Sequence, residues 1–513
     1  MSENNNVTRR DVLKLGGIAL AGTMALGAGG SGSRQAGGVM SFEEYTKYDG
    51  LGLAELVRKG EVTPEELLDV ALKRLDAVNP RLNAVVVRFP ERARSQIEAG
   101  LPAGPFRGVP FLLKDLHAYL KGTVTTNGSR FFRDRVDQED SELVDRYLRA
   151  GLVIFGKGAS PEFGLTPSTE SVLNGPTHNP WNLGHTAGGS SGGCAAAVAA
   201  GIVPWAHASD GGGSIRIPAS CCGLFGLKPS RHRVPVGPPL SGEGWAGLSC
   251  HHAVTRSVRD SAALLDATCA PVFGSTYLAP PPERPFLAEV GAAPGTVRIA
   301  YIRHRFGGGD IDPECTRAAE SAAQLCRELG HRVEEATPHI DFQELSKAMG
   351  MVIIPTNIAR TIDARAVELG RAASENDVEP VTWGIYQMGK QVSGRDYESA
   401  RAVLFHAGCA MAEFQRDWDV LLSSVLGSPP VKLGILTLTD FKAFGDAAQR
   451  FVPFTPVFNG TGQPSMSVPL HWTRAGLPVG VMFTGRYGEE ATLLRLAAQL
   501  EQARPWAGRR PKL

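Results

Sequence analysis

"SDGGGSIRIPASCCGLFGLKP", residues 209–229, places three consecutive glycines directly before Ser214. A folded loop usually needs one glycine for a positive φ. Three in a row predict backbone N–H groups that must face something bulky or charged. The run "IVPWAHAS" leads into this loop as a strand. A second glycine–serine cluster, "HTAGGSSGGCAAAVAAG" (185–201), runs into a short helix of small residues over 194–201. Such a helix start offers unpaired N–H groups to an anion. Upstream, "GVPFLLKDL" (108–116) reads as a buried strand, Val109 to Leu113, with Lys114 at its end. "DSELVDRYLRAG" reads as a helix and "LVIFGK" as the strand after it. Continuous apolar strands alternating with helices predict an α/β fold. The expected architecture is a single large domain whose mixed, mostly parallel central sheet is covered by helices on both faces.

The flanking segments fit that architecture. Thr63 is placed as an N-cap, with Pro64 at the first helical position, Glu66 completing a capping box and "NP" at 79–80 ending the helix. "TVRIAYI" (296–302) reads as a strand. A helix follows, capped by Asp312, started by Pro313 and closed by Gly330, with Ala319, Ala322, Cys326 and Leu329 inward. Residues 340–450 are more polar and helical in period, and strands return in "FNGTGQPSMSVPL" and "GLPVGVMFTG".

The chain has 513 residues, 43% hydrophobic and 20% charged, with a net charge of +1, which is globular composition without a basic stripe for nucleic acid. The N-terminal "TRRDVLKLGGIALAGTMALGAGG" joins Arg9-Arg10 to a mildly apolar, glycine-rich run too short to span a bilayer. It resembles a twin-arginine export signal, which divides the chain into a signal and linker (1–40) and the folded domain (41–513), and implies a periplasmic or extracellular protein. No other stretch is apolar enough to cross a membrane. The eight cysteines form no CxxC pair and no spaced framework, so most read as small buried hydrophobes, with a disulfide left open by the export signal.

Several chemistries are excluded by local spacing. A phosphate loop needs Lys-Ser or Lys-Thr after its last glycine, and Cys194 stands there; GGSSGG is not the dinucleotide pattern GxGxxG. The hydrolase elbow GxSxG does not surround Ser214. No histidine sits in a motif that assigns it a role, and His207 reads as a packed or surface residue. A serine nucleophile still needs a base. Lysine serves when burial disfavours its ammonium form, and Lys114, after Pro-Phe-Leu-Leu, is a candidate.

Together "GVPFLLKDL", "GGSSGG" and "SDGGGSIRIPASCCGLFGLKP" resemble the amidase signature family, over about residues 45–510. "NPWNLG" (179–184) and "FNGTGQPSMSVPLHWTRAGLPVGV" (458–481) extend the likeness in the family's order, as does the 24-residue spacing of Ser190 and Ser214. Residues 179–229 and "RPWAGRRP" (504–511) most resemble the 6-aminohexanoate-cyclic-dimer hydrolase branch.

The resemblance implies a Ser–cis-Ser–Lys triad: Ser214 as nucleophile, Ser190 as bridge after a cis Gly189–Ser190 peptide, and Lys114 as base. It implies an oxyanion hole from the backbone N–H groups of Gly211, Gly212, Gly213 and Ser214, where side chains would obstruct the substrate carbonyl. Ser191, Ser209, Asp210 and Arg216 would hold the loops. Relatives often carry Thr, Ile or Ala where Gly211 stands, and Ser or Ala where Cys194 stands.

The implied activity is hydrolysis of a small linear or cyclic amide through an acyl-enzyme, with no metal or organic cofactor, no nucleic acid partner, and a homodimer as one open assembly state. The alternatives are an amidotransferase component working with a partner protein, and a binding protein on the same scaffold. Specificity is expected from residues 120–135, 235–250 and 340–400.

Overall fold

The computed structural model describes residues 40–238 and 244–513. The expected export signal therefore lies, Met40 apart, outside the described residues. Eleven strands form one sheet. In chain order they are β1 (Val85–Arg88), β2 (Pro110–Lys114), β3 (Val153–Gly158), β4 (Trp205–Asp210), β5 (Phe225–Lys228) and β6 (Cys250–Thr255), then β7 (Arg298–Tyr301), β8 (Arg332–Glu335), β9 (Val420–Ser424), β10 (Ser465–Trp472) and β11 (Pro478–Gly485). Their order across the sheet is β1-β3-β2-β4-β6-β5-β10-β11-β9-β7-β8.

Only β2 with β3, β2 with β4, β7 with β8 and β7 with β9 pair in parallel. Every other neighbouring pair is antiparallel. The sheet is mixed, and the expectation of a mostly parallel one needs correction. The reason lies at its centre, where β4, β6, β5, β10 and β11 run alternately up and down. Strand β6 carries no sequence signal of its own: "CHHAVT" looks polar, yet every residue in it is buried.

Six of the helices are α1 (Pro64–Leu82), α2 (Gly192–Ala199), α3 (Arg216–Cys222), α4 (Pro313–Glu328), α5 (Ile354–Leu369) and α6 (Glu490–Ala503), of which α2, α3 and α5 border the site. Thr63 and Glu66 form the expected capping box on α1, worth about 1 kcal/mol. This helix runs through Pro80 to Leu82 instead of ending at 79–80. Pro80 sits in the last turn, where it removes one hydrogen bond, and Asn83, in the left-handed conformation at φ +49°, stops the helix.

Alternate strand residues feed two cores. Phe111, Leu113, Trp205 and Ala253 join one; Leu112, Ala206, Ala208 and Val254 join the other, together with the small residues of α2. This two-sided burial is why the strands read as unbroken apolar runs. All eight cysteines are free, and six of them are buried. Among the described residues no helix is long and apolar enough to cross a membrane.

Candidate active site

Strands β2 and β4 are parallel neighbours, so Lys114 and Asp210 leave the sheet at the same edge. The loop before α2 brings Ser190 there, and the loop from β4 to α3 brings Ser214. Open α/β sheets place their ligands at this carboxyl edge.

Lys114 is fully buried and donates from Nζ to Ser190 Oγ at 2.7 Å and to Ser209 Oγ at 3.0 Å. Among the described residues it has no carboxylate within salt-bridge distance. Burial pushes its ammonium down to about 7, against the weaker opposing pull of Cys194 and Asp210. The Gly189–Ser190 peptide is cis. Ser190 and Ser214 line one cavity of about 60 Å³, and no hydrogen bond joins them among the described residues. Val236, Ser249, Asn357 and Arg360 are shared with a neighbouring outer cavity of about 720 Å³.

The glycine loop is held from below by a buried ion pair. Arg216 Nε and Nη2 donate to the two carboxylate oxygens of Asp210, each at 2.9 Å. Asp210 also accepts from the N–H groups of Gly213 at 2.6 Å and Ile215 at 3.2 Å. Burial by itself would raise the Asp210 carboxyl. The Arg216 charge and these hydrogen bonds outweigh it and hold the group well below the usual carboxylate range. Ser191 Oγ donates to the Ser209 carbonyl at 3.2 Å and accepts from the Ser209 N–H at 3.3 Å. Ser191, Ser209, Asp210 and Arg216 thus all meet beneath the loop.

The four N–H groups expected to form an oxyanion hole differ in their bonding. The Gly213 N–H is engaged by Asp210, and among the described residues the N–H groups of Gly211, Gly212 and Ser214 have no comparable bond. Gly213 is instead glycine for its backbone, at φ +130°, and because a Cβ there would collide with Thr455 Oγ1. A Cβ on Gly212 would meet nothing, so space stands open above it. On Gly211 it would come within 2.9 Å of the Trp245 ring. Gly211 therefore makes room for an aromatic wall of the inner cavity. Cys194 is buried, with its thiol pushed up to about 12 by burial, so it is a packed residue and not a thiolate.

Several contributors had no role assigned from sequence. Asn459 Nδ2 donates to the Asp210 carbonyl at 2.8 Å and to its carboxylate at 2.9 Å, and its Oδ1 accepts from Arg216 at 2.7 Å. Thr455 Oγ1 donates to the Gly212 carbonyl at 2.7 Å. Asn459 lies in the quoted "FNGTG" stretch, which was the one signal available for it. His251, His117, Trp245 and Gly164 line the inner cavity. Residues 235–250 and 340–400 do contribute to the two cavities, through Val236, Trp245, Ser249, Asn357 and Arg360. The expected stretch 120–135 does not line them; Phe131 and Phe132 are instead buried against Phe163 in a core beneath.

Comparison with known proteins follows the same residues. The amidase family model matches residues 66–494. The chain is 39% identical over 478 residues to the 6-aminohexanoate-cyclic-dimer hydrolase of Pseudomonas sp. (strain NK87), covering 91% of this chain and 96% of that protein. A solved 6-aminohexanoate cyclic dimer hydrolase complexed with substrate superposes with a TM-score of 0.87 at 38% identity, covering 91% of this chain and 99% of the other. A solved glutamyl-tRNA(Gln) amidotransferase component from Thermotoga maritima superposes with a TM-score of 0.69 at 26% identity, covering 91% and 95%.

Proposed function

The chain belongs to the amidase signature family, hydrolases acting on amide C–N bonds, and we propose that it cleaves a small carboxylic amide with Ser214 as nucleophile, Ser190 as proton bridge and Lys114 as base. The observation that carries this reading is Lys114 Nζ, buried without a carboxylate partner among the described residues and 2.7 Å from Ser190 Oγ. A lysine in that setting holds no proton above about pH 7 and accepts one.

The steps follow from that neutral amine. Lys114 takes the Ser190 hydroxyl proton as Ser190 takes that of Ser214, and Ser214 Oγ bonds to the amide carbon. The carbonyl oxygen becomes an oxyanion facing the N–H groups of Gly211, Gly212 and Ser214, where each donor is worth on the order of 100-fold or more in rate. Ser190 then gives a proton to the leaving nitrogen and regains one from Lys114 as the C–N bond breaks. Water, deprotonated through the same pair, attacks the Ser214 ester. Carboxylate leaves and Ser214 regains its proton.

Cyclic and linear amides both suit the wide outer cavity, and the similarity to cyclic-dimer hydrolases favours a cyclic amide. The lower identity to the amidotransferase component makes that the weaker alternative. A hydrolysis panel of linear, aryl and cyclic amides, run beside Ser214→Ala, tests the proposal. One amide class should be cleaved, with a loss of at least about 1,000-fold in the variant. Cleavage that persists in Ser214→Ala contradicts the assignment.

A further inference from the structure

The cavity beside Ser214 holds an imidazole that the chemistry above does not use. His251 lies on β6 directly opposite Ser209 of β4, the residue whose hydroxyl bonds Lys114 Nζ. It is 3% exposed, and it lines the inner cavity together with Ser214.

Hydrogen bonds fix its tautomer. The Lys114 backbone N–H donates to His207 Nδ1 at 3.2 Å. That nitrogen therefore carries no proton, and neutral His207 carries its proton on Nε2. His207 Nε2 lies 3.1 Å from His251 Nδ1 and donates to it. Neutral His251 is thus left with its own proton on Nε2. Burial keeps both rings uncharged, pushing His207 well below its ordinary value and His251 down to about 3. The rings are nearly parallel, 12° apart with centroids at 5.4 Å, which holds the N–H direction.

No group among the described residues accepts from His251 Nε2. That nitrogen is not among the sealed, unpartnered polar atoms of the described residues, so its N–H is open to whatever enters the cavity it lines. The surroundings select what that is. No Asp or Glu among the described residues lines either cavity, and Arg360, which lines both, makes no ion pair among the described residues. The walls offer donors and call for an acceptor.

We propose that His251 Nε2–H is a specificity-determining donor, binding a second acceptor oxygen of the substrate, a carbonyl or carboxylate distinct from the amide being cut. This rests on the amidase reading and narrows its substrate class to amides with two polar heads.

The test compares three amides of equal chain length: a monoamide, an α,ω-diamide and the half-amide of a dicarboxylic acid. The readout is the kcat/KM of each two-headed amide divided by that of the monoamide. The wild-type ratio should be about tenfold or more for at least one of them, the scale of one such hydrogen bond. A ratio shared by both two-headed amides assigns a carbonyl oxygen. One confined to the half-amide and lost in Arg360→Gln assigns a carboxylate.

His251→Asn keeps an acceptor near His207 but withdraws the donor from the cavity, and the ratio should fall to about one. His251→Gln carries an amide N–H to where Nε2 stood and should restore it. A ratio unchanged in His251→Asn, or an equal loss on all three amides, overturns the proposal and leaves His251 as mere support for His207.

Calorimetry of the diamide and half-amide on Ser214→Ala protein repeats the comparison without turnover. Affinity should drop about tenfold when His251→Asn is added, again the scale of one hydrogen bond, and unchanged affinity overturns the proposal. Failed turnover with this affinity difference intact counts against Ser214, not against His251.

Discussion

Lys114 draws its reactivity from what surrounds it. It follows the buried Leu112 and Leu113, is itself fully buried, and among the described residues its amine hydrogen-bonds only the hydroxyls of Ser190 and Ser209. Desolvation disfavours the ammonium form, and the weaker pull of Cys194 and Asp210 does not restore it. The sign follows: below about pH 7 Lys114 is protonated and cannot accept the Ser190 proton, and above it the base is free. The kcat/KM of the proposed reaction should therefore rise tenfold per pH unit below about 7 and level off above it. A pH–rate profile on a non-ionising amide checks this, and a flat profile from pH 5 to 8 contradicts it. The sequence pointed to Lys114 by the apolar run before it and the family likeness together. It could not point to His251, because "CHHAVT" carries no sign that its histidines are neutral, buried and hydrogen-bonded.

At the scale of elements, the glycine loop between β4 and α3 is shaped by three different demands. Gly213 answers a positive φ and the Thr455 hydroxyl, Gly212 leaves open space, and Gly211 admits the Trp245 ring. Sequence reasoning assigns all three one purpose, since a run of glycines looks uniform until the neighbours are known. Replacing Gly211 by Ala should push Trp245 from the cavity wall, because its Cβ would sit 2.9 Å from the ring. That change should alter KM among amides of different width by more than it alters kcat for the smallest; steady-state kinetics on a width series reads it out. Gly213→Ala should be more damaging, lowering both stability and kcat, as its strained φ and contact with Thr455 leave it no room. The same limit on legibility applies to β9. "VLLSS" is a short buried run without alternation, inside a region whose period is helical, and such runs are read as strands only once their sheet neighbours β11 and β7 are seen.

Across the whole molecule, the site depends on segments far apart in sequence. Asp210 and Arg216 come from the centre of the chain, while Asn459 and Ser465 reach Arg216, and Thr455 reaches Gly212, from the C-terminal third. The α/β class, the glycine loops and the meeting of Lys114 with Ser190 were legible because each rests on short contiguous motifs. The antiparallel middle of the sheet and the Asn459 contacts were not, because they arise from pairings between distant segments. Removing one partner of the fully buried Asp210–Arg216 pair should cost about 3–5 kcal/mol. Arg216→Met should thus lower the midpoint of thermal or urea unfolding, and the Lys114-dependent rise in kcat/KM should stay near pH 7 in whatever protein remains folded.

Everything proposed for the reaction depends on Ser214 being a nucleophile activated through Ser190 by neutral Lys114. Reaction of the full protein with a fluorophosphonate, followed by intact mass and peptide mapping, probes that directly when run beside Lys114→Met. One adduct is expected, on Ser214, formed at least about 100-fold more slowly in Lys114→Met, the scale of lost general-base assistance. An adduct on another residue, no adduct on the folded protein, or equal labelling without the lysine would contradict it.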